Sequence, residues 1–271
     1  MSNENLPTRL YKYRSLQGKH FCHASRTVVQ REVYFATAPE INDPFEFQFR
    51  LNAMVPQVVK LNHMIRFLQE RDPSLRRPAA KREAKQILNS GDDASLKAEE
   101  TQKRALADIR VSYGVFSLSV PNDNPLMWSH YADSHRGICI EFNPEIPGWG
   151  ADGPFKVAYR NNIPVLSVFS ATVNELLTAT LLTKSSHWKY EEEWRYIALK
   201  SDGQVRTIPQ GAITGIILGM KISSEDERKV RAWAENADNA IRIFRAVPDE
   251  VRYALVIRED GDSNGKETKA R

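Results

Sequence analysis

The chain alternates short apolar runs of strand length with turn residues, and carries one long stretch of helical spacing near its middle. Residues 10–14 (LYKYR) read as an opening strand, and 27–31 as the end of a helix. Residues 32–36 alternate apolar and polar positions, which predicts a strand, and lead to Pro39 and the turn Asn42-Asp43-Pro44. Residues 114–120 and 137–142 are rich in Val, Ile, Phe and Cys, the composition of buried strands. A short helix is predicted between them over 126–133. Further strands are expected over 155–159, 194–199, 215–218, 241–246 and 252–257, and a helix over 173–182. A last helix runs from Ser223/Ser224 to Glu235. Its start rests on Ser224 followed three residues on by Glu227, a capping-box spacing.

Residues 57–112 have a different character. Val58, Leu61, Ile65 and Leu68 recur at helical spacing, and Leu96, Ala98, Ala105, Leu106 and Ile109 outline a second amphipathic helix. Pro73, Pro78 and Ser90-Gly91-Asp92 break the run. The expected architecture is a single α+β domain over 1–271, with a mixed or antiparallel sheet core. A helical insertion over 55–112 divides it, and a polar, flexible tail over 260–271 ends it.

Composition narrows the class without choosing a function. A chain of 271 residues with 41% hydrophobic and 27% charged content is an ordinary globular protein. No apolar run reaches the length of a membrane span, and the opening MSNENLPTRLYKYR has no apolar signal region. Two cysteines, Cys22 and Cys139, are too few for a disulfide framework. Together these features predict a cytoplasmic protein with reduced thiols and no membrane partner. The net charge of +4 matches the excess within 57–112, where twelve Lys/Arg face eight Asp/Glu. Acids are interspersed there and no aromatic platform accompanies the lysines, as on a solvated helical surface. The same excess leaves nucleic acid or protein open as a partner.

Candidate chemistry concentrates at residues 187–196, HWKYEEEWRY, ahead of the apolar run 197–199. Rings on both sides of three glutamates predict entry into a partly buried strand. Strand alternation would place Glu191, Glu193 and Arg195 on one face, and Glu192, Trp194 and Tyr196 on the other. The two carboxylates would stand about 7 Å apart. The alternative is an ion-paired structural strand, with Arg195 neutralising the acids.

Other constellations are weaker. Asn42, Asp43 and Glu46 read as turn chemistry, with Glu46 able to face a site. His130 and His135 are five residues apart, so they do not share a helical face and make no two-histidine metal site. No CxxC, HxxxH, P-loop or GxGxxG spacing occurs. A metal-dependent phosphodiesterase or nuclease would need Asp43, Glu46, Glu191 and Glu193 as oxygen ligands. A non-catalytic recognition module remains the third reading.

LYKYR at 10–14, FSLS at 116–119 and YEEEW at 190–194 follow the order arginine, serine-x-serine, glutamate-x-glutamate. That order resembles the arginine–serine–glutamate ADP-ribosyltransferases. The resemblance implies an ADP-ribosyltransferase-like fold and NAD as substrate. Glu193 would be the catalytic carboxylate, and Glu191 would orient the acceptor. Arg14 would grip the NAD diphosphate or ribose, Ser117 and Ser119 would shape the nicotinamide pocket, and Trp128 and Tyr131 would wall it. Over residues 10–220 the series LYKYR, FATAPEINDPFE, FSLS, LMWSHYADSHRGICIEF, VAY and HWKYEEEWR is similar to a bacterial family called domain of unknown function 2971. Its late motif W-x-x-E-x-E-W/Y-R matches Trp188, Glu191, Glu193, Trp194 and Arg195. This likeness implies a role in defence or as a toxin effector, acting on protein or nucleic acid.

Overall fold

The computed structural model describes residues 6–52, 54–89, 94–169, 171–200, 203–237 and 239–260. In chain order its elements begin with β1 (Leu10–Arg14), α1 (Lys19–Gln30), β2 (Glu32–Tyr34) and β3 (Arg50–Asn52). Three helices follow, α2 (Gln57–Arg71), α3 (Arg77–Asn89) and α4 (Ala94–Ser112), then β4 (Tyr113–Ser119), α5 (Pro125–Tyr131) and β5 (Ile138–Phe142). Next come β6 (Asp152–Lys156), β7 (Ala158–Arg160), β8 (Val165–Ser167), α6 (Val173–Leu181), β9 (Thr183–Ser185) and β10 (Glu193–Leu199). The chain closes with β11 (Val205–Thr207), β12 (Ile213–Leu218), α7 (Ser224–Glu235), β13 (Arg242–Pro248) and β14 (Leu255–Glu259).

Eight strands form one sheet in the order β14-β13-β12-β5-β1-β4-β10-β6. Within this sheet only β12 and β13 pair in parallel, so the protein is mixed α+β with a mainly antiparallel core. β5 is buried along its whole length, which accounts for its unbroken ICIEF run: apolar layers cover both of its faces. One layer contains Leu10, Phe116, Leu118, Ile138, Ile140, Phe142, Trp194 and Tyr196, joined by Val28 of α1 and Val230 of α7. The opposite layer contains Tyr11, Tyr13, Met127, Trp128, Cys139 and Ile217. A large apolar side chain moved from water into such a layer contributes about 1.5–3 kcal/mol.

The inserted helices divide their work. α2 and α3 close a small core of their own from Ile65, Leu68, Ala80 and Ala84. Ile109 of α4 instead joins Phe47, Phe49, Val115 and Leu181 of the main body. Val58, expected on the buried stripe, is 62% exposed, because the stripe narrows to the end of α2 that meets α3. The Ser90-Gly91-Asp92 break, the side chains of Leu96 and Ala98, and the tail from 261 onward lie outside the described residues.

Several boundaries differ from the sequence reading, among them the strand expected over 252–257, which begins only at Leu255. The strand expected over 155–159 divides at Val157, with β6 joining the main sheet beside β10 and β7 pairing with β9. The last helix is capped by Ser223, whose Oγ accepts from the Asp226 amide at 3.0 Å. Either serine can cap, and the Ser223 hydroxyl reaches an amide of the first turn that would otherwise be unpaired.

One irregularity makes the site. β1 runs beside β5 from Leu10↔Phe142 to Arg14↔Ile138, and β4 beside β10 from Tyr113↔Leu199 to Ser119↔Glu193. β1 and β4 themselves meet only at Tyr11↔Ser119. The sheet therefore opens between these strands past Tyr11. Lys12 Nζ bridges the opening to the Ser117 carbonyl at 2.7 Å.

Candidate functional site

A cavity of about 420 Å³ occupies this opening. Its walls come from β1 (Lys12, Arg14), α1 (His20, His23), the segment after β2 (Glu40, Asn42, Glu46), β4 (Ser117, Ser119), α5 (His130, Tyr131) and the region 184–195. α1 begins within five residues of Arg14, and the i, i+3 spacing of His20 and His23 aims both at the cavity. Gly137 sets the depth of Arg14. A Cβ there would stand 2.1 Å from the Arg14 carbonyl oxygen, so β5 can start beside β1 only with glycine at this position.

The acidic end is a buried ion network. Lys184 of β9 lies 2.5 Å from Glu191, 3.0 Å from Glu193 and 3.1 Å from Glu46. Arg195 forks onto Glu193, with Nε to Oε1 at 2.7 Å and Nη2 to Oε2 at 2.9 Å. The same Nη2 reaches Glu46 at 2.5 Å, and Nη1 donates to the Leu181 carbonyl at 2.7 Å. Tyr131 donates its hydroxyl to Glu191 at 2.7 Å. Three carboxylates thus share two cations, and all five side chains are at most 6% exposed.

Charge balance separates the two glutamates. Burial disfavours the charge of Glu193, but Arg195 and Lys184 outweigh it and hold its carboxyl well below the usual range. Burial pushes the Glu191 carboxyl up, and repulsion from Glu193 adds to this, with Lys184 and Tyr131 offsetting only part. Glu193 is therefore a fixed anion, and Glu191 is the carboxylate able to take a proton. Burial also opposes charge on Lys184, yet the three glutamates keep it firmly protonated.

The other end of the cavity is cationic and sparsely paired. Arg14 Nε is shut from solvent without a hydrogen-bond partner among the described residues, and burial lowers the Arg14 pKa to about 10. Burial and the neighbouring Arg14 bring Lys12 down to about 7. His20 and His23 are lowered first by burial and then by the Arg14 charge. His23 stacks on Tyr34 at 6.0 Å.

The structure brings together Arg14, Ser117, Ser119, Tyr131, Glu191 and Glu193 around one cavity. Trp128 stands outside the lining. It is fully buried, edge-on to Tyr13 at 5.2 Å, and its Nε1 donates to the Asn122 carbonyl at 2.9 Å. The strand-face argument holds for Glu193 and Arg195, which lie opposite Ser119 and Ser117, but not for Glu191. That residue ends a 3₁₀ turn over 186–191, and Glu192 follows in the left-handed region at φ 45° before β10 begins. Glu191 reaches Glu193 through Lys184 rather than through alternation. Arg195 clamps Glu193 and Glu46, so the ion-paired alternative applies to Glu193 but not to Glu191.

Asp43 does belong to its turn, its Oδ1 accepting from the Phe45 amide at 2.9 Å, whereas Glu46 turns inward to the network. His130 and His135 part as expected. His130 sits near Trp188 and Tyr190, and His135 stacks on Trp128. Sequence reasoning missed Lys12, His20, His23 and Lys184. Lys12 was within reach, since the alternation applied to Glu193 and Arg195 also pairs Lys12 with Arg14. Lys184 carried no signal, being a single lysine after the apolar run LLTATLL.

These features define a mixed α+β protein with a bipolar cavity at a break in its sheet, closed at one end by buried ion pairs. A family model described as protein of unknown function (DUF2971) matches residues 127–196, from α5 through most of β10. The match supports the relation to that family over a narrower span than the motifs at 10–220. It includes Tyr131, Lys184, Glu191, Glu193 and Arg195 and leaves out Arg14 and the serines. No curated protein and no solved structure matches the chain. Among the described residues no group of His, Cys, Asp or Glu is arranged to hold a metal, and no helix is long and apolar enough to cross a membrane.

Proposed function

We propose that the cavity binds NAD and that the protein is an ADP-ribosyltransferase-like enzyme. The observation that carries this reading is the meeting of Arg14, Ser117/Ser119 and Glu191/Glu193 at one opening in the sheet, cationic at one end and anionic at the other. Arg14 fits a diphosphate because its buried Nε lacks a partner and guanidinium binds phosphate oxygens as a fork. A volume of about 420 Å³ lies within the usual range of small-molecule sites.

In the reaction the bond between the ribose anomeric carbon and the nicotinamide nitrogen breaks. Nicotinamide leaves with the electron pair, and positive charge develops on the sugar. The fixed negative charge of Glu193 stabilises that charge without reorganising, since Arg195 and Lys184 already hold it in place. An acceptor lone pair then bonds the anomeric carbon, and the acceptor proton passes to Glu191, the carboxylate whose pKa burial raises. Ser117 and Ser119 offer hydroxyls on the β4 face toward the leaving group.

A metal-dependent reading is less favoured. Lys184 Nζ stands within 3.1 Å of Glu46, Glu191 and Glu193, so a divalent ion would have to displace it, and Asp43 lies outside the cavity lining, its Oδ1 held in the turn. Isothermal titration with NAD, alongside chromatography of released nicotinamide, tests the proposal. Wild type should bind and consume NAD. Arg14→Ala should weaken binding by at least about tenfold, and Glu191→Gln should slow turnover more than binding. Absence of NAD binding, or unchanged turnover in both variants, would refute it.

A further inference from the structure

His130 of α5 lines the cavity on the Glu191 side, and just outside the lining its ring neighbours Trp188 and Tyr190 of the 3₁₀ turn. His130 lies 6.5 Å from each of the other two rings, and Trp188 lies 6.1 Å from Tyr190. Their interplanar angles of 69°, 32° and 43° leave no two of them stacked face to face. His130 is exposed, and Trp188 and Tyr190 are half-buried. Trp188 also touches the chemistry, because Lys184 Nζ lies 5.1 Å from its ring.

Cations interleave with these rings. Lys189 sits between Trp188 and Tyr190 and is exposed. Arg160 of β7, also exposed, lies opposite Ser185 of β9 at the start of the same turn. Neither has an ion-pair partner among the described residues. Glu192 is the exposed acid at the end of this segment, facing away from the buried network. The helical insertion is more basic in total but sets its cations among acids.

We infer that the rim of Arg160, Trp188, Lys189, Tyr190 and His130 binds single-stranded nucleic acid and presents a nucleotide to the cavity. Its role as acceptor rests on the transferase reading proposed above; the binding itself does not. Rings accept any base by stacking and cations track the backbone, which together define a single-strand site. In a duplex the base faces are stacked away and unavailable to such rings. In the transfer, a base nitrogen or oxygen bonds the anomeric carbon as nicotinamide leaves, and its proton goes to Glu191.

Fluorescence anisotropy of labelled oligothymidylate about twelve nucleotides long, with the matching duplex as control, tests the rim on the full chain. The single strand should bind more tightly than the duplex, and more weakly as salt rises. Trp188→Ala should weaken binding roughly tenfold or more. The double variant Arg160→Glu/Lys189→Glu changes only exposed positions, so it probes the rim even if the Trp188 variant misfolds. It should weaken binding comparably and flatten the salt dependence. Absence of single-strand binding by wild type at low salt, or full affinity in both variants, overturns the inference. So does a loss of affinity seen only when insertion lysines such as Lys81 and Lys85 are reversed. NAD titrated into the same protein separates the two claims. Oligonucleotide binding without NAD binding supports the rim and overturns the transferase reading. Label transfer from NAD to a protein, with the oligonucleotide unmodified, overturns the acceptor assignment.

Discussion

Replacing Lys184 by Met removes the ammonium at the centre of Glu46, Glu191 and Glu193, to which it stands at 3.1, 2.5 and 3.0 Å. The five-member network then holds three carboxylates against Arg195 alone. Removing one partner of a buried pair costs about 3–5 kcal/mol, because the charge left behind is uncompensated. Protonation caps that cost. Holding one carboxyl of ordinary pKa about 4.3 protonated at pH 7 requires about 3.7 kcal/mol, and at pH 5 only about 1 kcal/mol. Glu191 is the group to take the proton, since its pKa is already raised. The folded variant thus binds a proton that the unfolded chain lacks, and its stability falls by about 1.4 kcal/mol per pH unit between pH 5 and 7.

Wild type behaves differently. The depressed Glu193 carboxyl contributes stability that is present above its unfolded pKa and lost as pH falls through its folded one. The raised Glu191 carboxyl gives wild type a slope of the same sign as the variant, but a smaller one, because Lys184 offsets part of the shift. Urea unfolding followed by tryptophan fluorescence at pH 5, 6 and 7 measures both slopes. The variant should lose about 4 kcal/mol at pH 7 and regain most of it at pH 5. A loss under about 1 kcal/mol, or one independent of pH, would refute the account of the network.

Three further outcomes follow from the same geometry. Nucleotide affinity should fall as pH rises through about 7, because an anion favours the protonated form of Lys12; calorimetry from pH 6 to 8 checks this, and Lys12→Met should flatten the profile. Gly137→Ala should displace Arg14, whose carbonyl lies 2.1 Å from the added Cβ. It should destabilise the protein by roughly 2 kcal/mol or more, with nucleotide affinity falling in parallel, as thermal shift and titration would register. Tyr131→Phe removes the 2.7 Å donor to Glu191. It should cost about 1.5–3 kcal/mol at pH 7 and move the ionisation governing turnover upward in the pH–rate profile, and an unshifted profile would separate Glu191 from the rate.

The glutamate triplet shows how far local pattern reaches. Alternation along β10 fixes Glu193 and Arg195 on one face because a strand's side-chain period is two. The same rule fails one step earlier at Glu191, where Glu192 in the left-handed region turns the chain. Arg14, Ser117 and Ser119 were singled out by the resemblance to the arginine–serine–glutamate order, while the apolar pattern marked only the strands that carry them. Trp128 was misplaced beside the cavity because an aromatic on a short helix gives no sign of which side of Tyr13 it will occupy. Pattern alone also gives no sign that Glu193 is bonded to Arg195 and Lys184 at once.

By itself the sequence determined the α+β class, the strands of the main sheet and the pairing of Glu193 with Arg195 on one face, since hydrophobic period and turn chemistry are properties of neighbouring positions; it did not mark the short strands β3, β8, β9 and β11. The tertiary structure alone decided that β1 and β4 part past Tyr11, that Lys184 enters among three carboxylates, and that Arg14 Nε is buried without a hydrogen-bond partner among the described residues. Those outcomes depend on groups more than a hundred residues apart being desolvated together. Arg195 and Lys184 hold the buried Glu193 as an anion, while burial itself raises the Glu191 carboxyl and shuts Arg14 Nε from solvent.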